Sequence, residues 1–109
     1  MTSVRGDAKT RVLAGAKLLD QKYDRWYRHV EAGKVEVLSF EHCPVAQLHN
    51  KDYARGLAKL GIDGTGWEYG FAAYLGGDGN ADEAKRLADA LDLNAEWREA
   101  ITARRARMR

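Results

Sequence analysis

The chain has 109 residues, 45% of them hydrophobic and 31% charged, with a formal charge of +2; this is the composition of one globular domain with a modest core, and it excludes a disordered or fibrous chain. The charge is unevenly placed: residues 1–34 carry eight Lys or Arg against four acids, residues 35–97 five against eleven, and residues 98–109 five against one. No run reaches the roughly 18 apolar residues of a membrane span, since the most apolar stretch, Val12 to Leu19, is interrupted by Lys17.

In chain order, residues 1–9 are expected to fray, as are residues 105–109. From Thr10 to Val30 the apolar positions Val12, Ala16, Leu19, Tyr23, Trp26 and Val30 recur at alternating spacings of four and three. That pattern predicts a long amphipathic helix of about 31 Å, with Leu13 and Tyr27 widening its stripe. Such a seam suits a helix laid on its own core, and three heptad-like repeats are also the minimum for a coiled-coil surface. Gly33 ends the helix. Lys34 to Phe40 alternates in part and reads as at most one short extended segment near residues 35–40, with no evident partner strand.

Pro44 suits the first position of a short helical turn holding Val45 and Leu48. Asn50 is the expected cap of a helix from Lys51 to Leu60 whose core side is Tyr53, Leu57 and Leu60. Gly61 and Ile62 match a Schellman-type stop, with Ile62 folding back onto Leu57. Thr65 and Glu68 are spaced as a capping box for a turn carrying Trp67, Tyr69 and Phe71, and Gly76 to Gly79 read as a loop. Asn80 and Glu83 repeat the capping-box spacing, opening a helix with Ala84, Leu87, Ala88 and Leu91 on its core face. A break at Leu93-Asn94 then leads to a C-terminal helix carrying Trp97 and Ile101 and ending in arginines.

Few residues are arranged for chemistry. His42, Cys43 and His49 are the only group of soft ligands, but adjacent ligands diverge on regular backbone and the set is too small for zinc. Cys43 before a helix N-terminus, with His42 or His49 as base, has the makings of a nucleophile but no third, orienting group, and a small buried hydrophobe explains it as well. Asp78, Asn80 and Asp82 copy the start of a calcium loop, yet Glu83 stands where its glycine belongs and Asp89 where its bidentate glutamate belongs. The glycines at 76–79 lack a phosphate-loop spacing, and neither Ser3 nor Ser39 sits in a nucleophile elbow. The sequence therefore predicts no enzyme, no cofactor and no metal, and a single cysteine excludes an internal disulfide framework.

Two surfaces remain for binding. Trp and Tyr bring large rigid area with a polar tip, and the aromatics are many for so small a core; Tyr27 and Tyr74, off the main seams, and Trp67 are the candidate partner-binding residues. The alternative is a nucleic acid bound by the basic C-terminal helix through Arg98, Arg104, Arg105, Arg107 and Arg109, against which stands their ordinary role of complementing a helix dipole.

The order of Cys43, Gln47-Leu48, Asp52-Tyr53, Gly70-Phe71 and Trp97-Arg98-Glu99 resembles a group of small proteins of unknown function encoded by mycobacteriophages, other actinophages and actinobacterial genomes, whose central pattern reads Cys-Val-Leu-Gly-Gln-Leu ahead of Asp-Tyr. The resemblance covers roughly residues 12–101; this chain departs from the pattern at Pro44 and Ala46 and adds the glycine-rich loop. It implies a phage or prophage accessory protein that binds a protein, such as one of the bacterial host. With no signal-peptide cleavage pattern, the expected address is the host cytoplasm. A homodimer would bury a seam left open by the fold. The expected architecture is mainly α: one compact domain over residues 1–109, of five or six helices.

Overall fold

The computed structural model describes residues 4–39, 41–62, 66–73 and 83–107. Among these residues there is no strand; four α-helices, α1 (Val4–Lys22), α2 (Pro44–Leu48), α3 (Tyr53–Leu60) and α4 (Glu83–Ala106), are joined by segments containing single 3-10 turns at Trp26–Arg28, Ala32–Lys34 and Trp67–Tyr69. The mainly helical expectation holds, with four α-helices in place of five or six. The radius of gyration, 13.2 Å, matches the value of about 13 Å for a compact chain of this length.

The long helices α1 and α4 pack side by side and run in the same direction. Arg11 reaches Asp89, Gly15 lies against the Trp97 ring, and Asp20 reaches Arg104. A parallel pair cannot be joined by a tight turn, so the chain between them must come back. Residues 27–37 do so, running antiparallel along α4, with Tyr27 and Val30 beside Arg105, Ala32 and Val35 beside Arg98, and Val37 beside Asn94. The core lies between these three strips: Ala8, Val12, Ala16 and Leu19 from α1, Trp26, Val30, Val35 and Val37 from the returning chain, and Ala90, Leu93, Trp97 and Ile101 from α4.

Trp97 is the centre of that core. Its ring stacks on Phe71 at 5.6 Å and meets Trp26 edge-on at 6.0 Å, while its indole N–H donates to the Gly70 carbonyl at 2.7 Å. Burying one such ring removes about 200 Å² from water, about 5 kcal/mol of transfer free energy before entropy is counted. The turn at Trp67–Tyr69 can reach this centre because position 15 is glycine: a methyl group there would run into the Tyr69 carbonyl oxygen.

The predicted first helix needs correction at both ends. Residues 4–9, expected to fray, belong to α1, and the helix stops at Lys22, short of Val30. Arg25 takes a left-handed conformation at φ 52° and turns the chain, and the Trp26 indole donates back to Asp20 at 2.7 Å. The seam residues still enter the core, with Tyr23 half-buried and Trp26 and Val30 buried. The spacing therefore marked the right residues but not their conformation, because the turn inserts the same side as a continued helix would. Leu13, placed on the apolar stripe, is 54% exposed.

Other signals hold or shift by small steps. Pro44 opens α2 as predicted, with Cys43 as its cap. Asn50 does not cap α3. Asn50 and Lys51 both take left-handed conformations after α2, where the Lys51 N–H reaches the Ala46 carbonyl at 2.8 Å, and Asp52 caps α3 by accepting from the Arg55 N–H at 3.0 Å. The stop at Gly61 is as expected, with φ 74° and the Ile62 N–H on the Leu57 carbonyl at 3.0 Å. The turn at Trp67 is preceded by Gly66 in a left-handed conformation; Thr65, the first residue of the expected capping box, lies outside the described residues. Tyr74, the glycines at 76–79, the calcium-like residues and the Asn80 cap lie outside the described residues.

The segment near residues 35–40 is extended at Val35 but forms no strand. Part of its backbone is satisfied by α4: Asn94 Oδ1 accepts from the Val37 N–H at 2.9 Å, and the Asn94 amide also donates to the Glu36 carboxylate at 2.8 Å. This also explains why no break occurs at Leu93-Asn94. An Asn usually weakens a helix by bonding its own backbone, but here its side chain is engaged elsewhere and α4 runs through.

Candidate functional site

The face of α4 expected to be core is on the outside. Ala84, Leu87, Ala88 and Leu91 are exposed, with Leu87 at 45% and Leu91 at 69%, while the buried side of the helix carries Ala90, Leu93, Trp97 and Ile101. The buried side also takes in polar residues that sequence patterning assigns to water. Asp89 and Asn94 are buried with partners far away in the chain, Arg11 for the one, the Val37 N–H and the Glu36 carboxylate for the other. The four outward residues, spaced three, one and three apart, share one helical face.

Of the aromatic candidates, Trp67 is 38% exposed, and the Arg11 guanidinium lies over its ring at 5.2 Å from the centroid. Tyr27 is half-buried, packed edge-on to Trp26 at 5.9 Å, so it offers less free surface than predicted. The structure does not bring Tyr27 and Trp67 into contact with each other through any ring pairing among the described residues.

The C-terminal arginines are mostly engaged within the fold. Arg98 donates to the carbonyls of Ala32 and Val35, and Arg105 to those of Tyr27 and Val30, at 2.8 to 3.4 Å. Arg104 grips the Asp20 carboxylate with two donors, at 3.0 and 2.8 Å, and lies over the Trp26 ring at 5.7 Å. That grip, helped by the Trp26 indole and opposed by partial burial, holds the Asp20 carboxyl below its ordinary range. Arg107 is exposed, and Arg109 lies outside the described residues.

The soft ligands do not converge. Cys43 is buried, its Sγ accepts from the Ala46 N–H at 3.4 Å, and burial pushes its thiol up to about 11. His42 bonds Ser39 through Nδ1 at 3.0 Å, and His49 bonds the Tyr23 hydroxyl through Nε2 at 2.7 Å. Among the described residues no three His, Cys, Asp or Glu side chains are grouped to hold a metal ion, and no helix is long and apolar enough to cross a membrane.

Sequence reasoning missed a concave site beside α3. Leu48, His49, Asn50, Asp52, Arg55 and Lys59 line a cleft of about 400 Å³. Its signal was the spacing of Arg55 and Lys59, one turn apart on the polar side of α3, which reads equally well as a solvated face. Compared with protein-family models, curated proteins and solved structures, the chain matches none of them.

Proposed function

We propose that this protein is a small non-catalytic binding module that engages another protein through the outer face of α4. The observation that carries the reading is the exposure of Leu87 and Leu91 together, one turn apart and flanked by Ala84 and Ala88. Two large aliphatic side chains on one face of a long helix leave apolar surface in water, and covering it against a partner gains about 25 cal/mol per Å². The resemblance to actinophage and actinobacterial proteins supports a phage or prophage accessory role in the cytoplasm of a bacterial host, with a host protein as partner.

The nucleic-acid alternative has less support, because Arg98, Arg104 and Arg105 already donate to carbonyls or to Asp20. A duplex would have to be held mainly through the exposed Arg107 and its neighbours, too few contacts for tight binding at physiological salt. The test is capture from actinobacterial lysate, with and without nuclease treatment, using wild-type protein and the L87E/L91E variant. A defined protein retained by wild type and lost with the variant supports the reading. Retention by both excludes this face, and loss of the captured material on nuclease treatment favours nucleic acid. Sedimentation of the purified protein tells whether a second copy occupies the face.

A further inference from the structure

The cleft beside α3 is built from parts that the helical core does not require. Arg55 and Lys59 both line it, and neither has an ion-pair or side-chain hydrogen-bond partner among the described residues. The third cation-capable group, His49, is held in place from two sides. Its Nε2 shares a hydrogen bond with the Tyr23 hydroxyl at 2.7 Å, and its ring lies so close to α3 at Gly56 that a methyl group there would approach Cδ2 to 2.9 Å. Unpaired cations usually spread apart in water. Here an oriented imidazole and two long basic side chains share one concavity.

We infer that this cleft binds a small phosphate monoester, its dianionic phosphate held between Arg55 and Lys59 and within reach of the His49 ring. The volume, about 400 Å³, falls in the range of small-molecule sites, about 300 to 1,000 Å³. Arg and Lys supply charge-assisted donors, with the guanidinium matching two phosphate oxygens at once. Leu48 offers an apolar contact, and Asn50 offers an amide for a hydroxyl of the remaining molecule. Asp52 is committed to capping α3 and stays at the edge as a fixed negative charge, which disfavours a second anionic group on the ligand. The site makes no use of the α4 face and stands or falls independently of it.

The charges facing His49 are Arg55 and Lys59 from α3 and Asp52 from its cap, with the Tyr23 hydroxyl on the other side. Burial first, then the two cations, hold the imidazole below its ordinary value, so it is neutral in the empty cleft near neutral pH. A bound dianion favours the imidazolium, and by linkage the anion binds more tightly as pH falls.

The experiment is an NMR titration of the full chain with glycerol 3-phosphate, inorganic phosphate and sulfate, at ionic strength matched with sodium chloride, observing the rings of His29, His42 and His49. The expected result is a saturable shift confined to His49, weakened about tenfold or more in R55Q/K59Q, two exposed positions whose replacement leaves the helical CD signal and melting temperature intact. Glycerol 3-phosphate should bind more tightly than inorganic phosphate. Sulfate, whose charge is constant over this range, should bind more tightly at about pH 5.5 than at about pH 8, and H49Q, followed through the backbone amide signals of Arg55 and Lys59, should flatten that dependence. Shifts of equal size at all three histidines, or shifts unchanged in R55Q/K59Q, would overturn the assignment.

Discussion

The Arg11–Asp89 pair offers the sharpest test of how this fold is held. Arg11 is buried on α1 and Asp89 on α4, with 2.7 Å between Nη1 and Oδ1 and each side chain 5% exposed. The same guanidinium donates from Nε to the Trp67 carbonyl at 2.7 Å and from Nη2 to the Ala72 carbonyl at 2.9 Å, so one side chain joins both long helices to the 67–72 segment. R11A removes all of this and leaves a buried carboxylate. Breaking a buried pair from one side costs about 3–5 kcal/mol, and each abandoned carbonyl adds about 1 kcal/mol less whatever water restores. We therefore expect R11A to lose about 4 kcal/mol, or about 20 °C in melting temperature for a domain of this size. Replacing both partners by apolar residues, R11M/D89L, should cost only about 2 kcal/mol, the share of the two abandoned carbonyls, because desolvation of the pair disappears with its attraction. Urea unfolding followed by tryptophan fluorescence on wild type, both single variants and the double gives the coupling directly. A loss below about 1 kcal/mol for R11A, or single effects that simply add in the double variant, would refute the role assigned to the pair.

Three further outcomes follow from single positions. G15A, which in an open helix interior gains about 1 kcal/mol, should instead destabilise by about 1–3 kcal/mol, because the new methyl group meets the Tyr69 carbonyl and the Trp97 ring; thermal melting checks the sign. Asp20 has its carboxyl lowered by Arg104, so its contribution is present above the unfolded value near 3.8 and is lost as pH falls through the lower folded value. D20N should therefore be less stable than wild type at neutral pH, with the gap closing in acid; a gap that persists unchanged at low pH would show that charge is not the cause. Cys43, buried with its thiol pushed up to about 11, should react with a disulfide reagent at pH 8 only at the rate of unfolding, since about one thiol in a thousand is ionised there. Rapid labelling of the native protein would contradict its buried placement.

What the sequence made legible was local. The Gly61-Ile62 stop and Pro44 at the head of α2 depend on conformational preferences of one or two residues, and the structure has both. The seam residues of the first segment, Leu13 on its flank excepted, were found correctly even though the helix ends at Lys22, since periodicity reports which side is buried and a left-handed turn at Arg25 preserves that side. The failure on α4 has a different origin. Leu87 and Leu91 are apolar and regularly spaced, yet α4 runs unbroken with Ala90, Leu93, Trp97 and Ile101 on its buried side, where Asp89 and Asn94 are also accommodated by partners 78 and 57 residues away. No windowed pattern contains such pairs. The α3 cleft was hidden for a related reason: Arg55 and Lys59 become a site only when α2 and the turn after α1 bring His49 and Tyr23 beside them.

The parallel arrangement of α1 and α4 also gives three of the C-terminal arginines a place in the fold. Two aligned helices place both carbonyl ends, each equivalent to about half a negative charge, at the same pole of the molecule. The returning chain adds the carbonyls of Tyr27, Val30, Ala32 and Val35 along α4, none of them paired in a sheet. Such a layer of acceptors needs donors that carry charge and reach several ångströms, and arginine is the side chain that supplies both. Arg98 and Arg105 bond those four carbonyls, while Arg104 crosses to Asp20 near the end of α1. Arg98, Arg104 and Arg105 are thus donors that tie the returning chain and the end of α1 to α4. Removing Arg105 should therefore loosen the 27–30 turn, seen as faster amide exchange there, before it alters affinity for any polyanion.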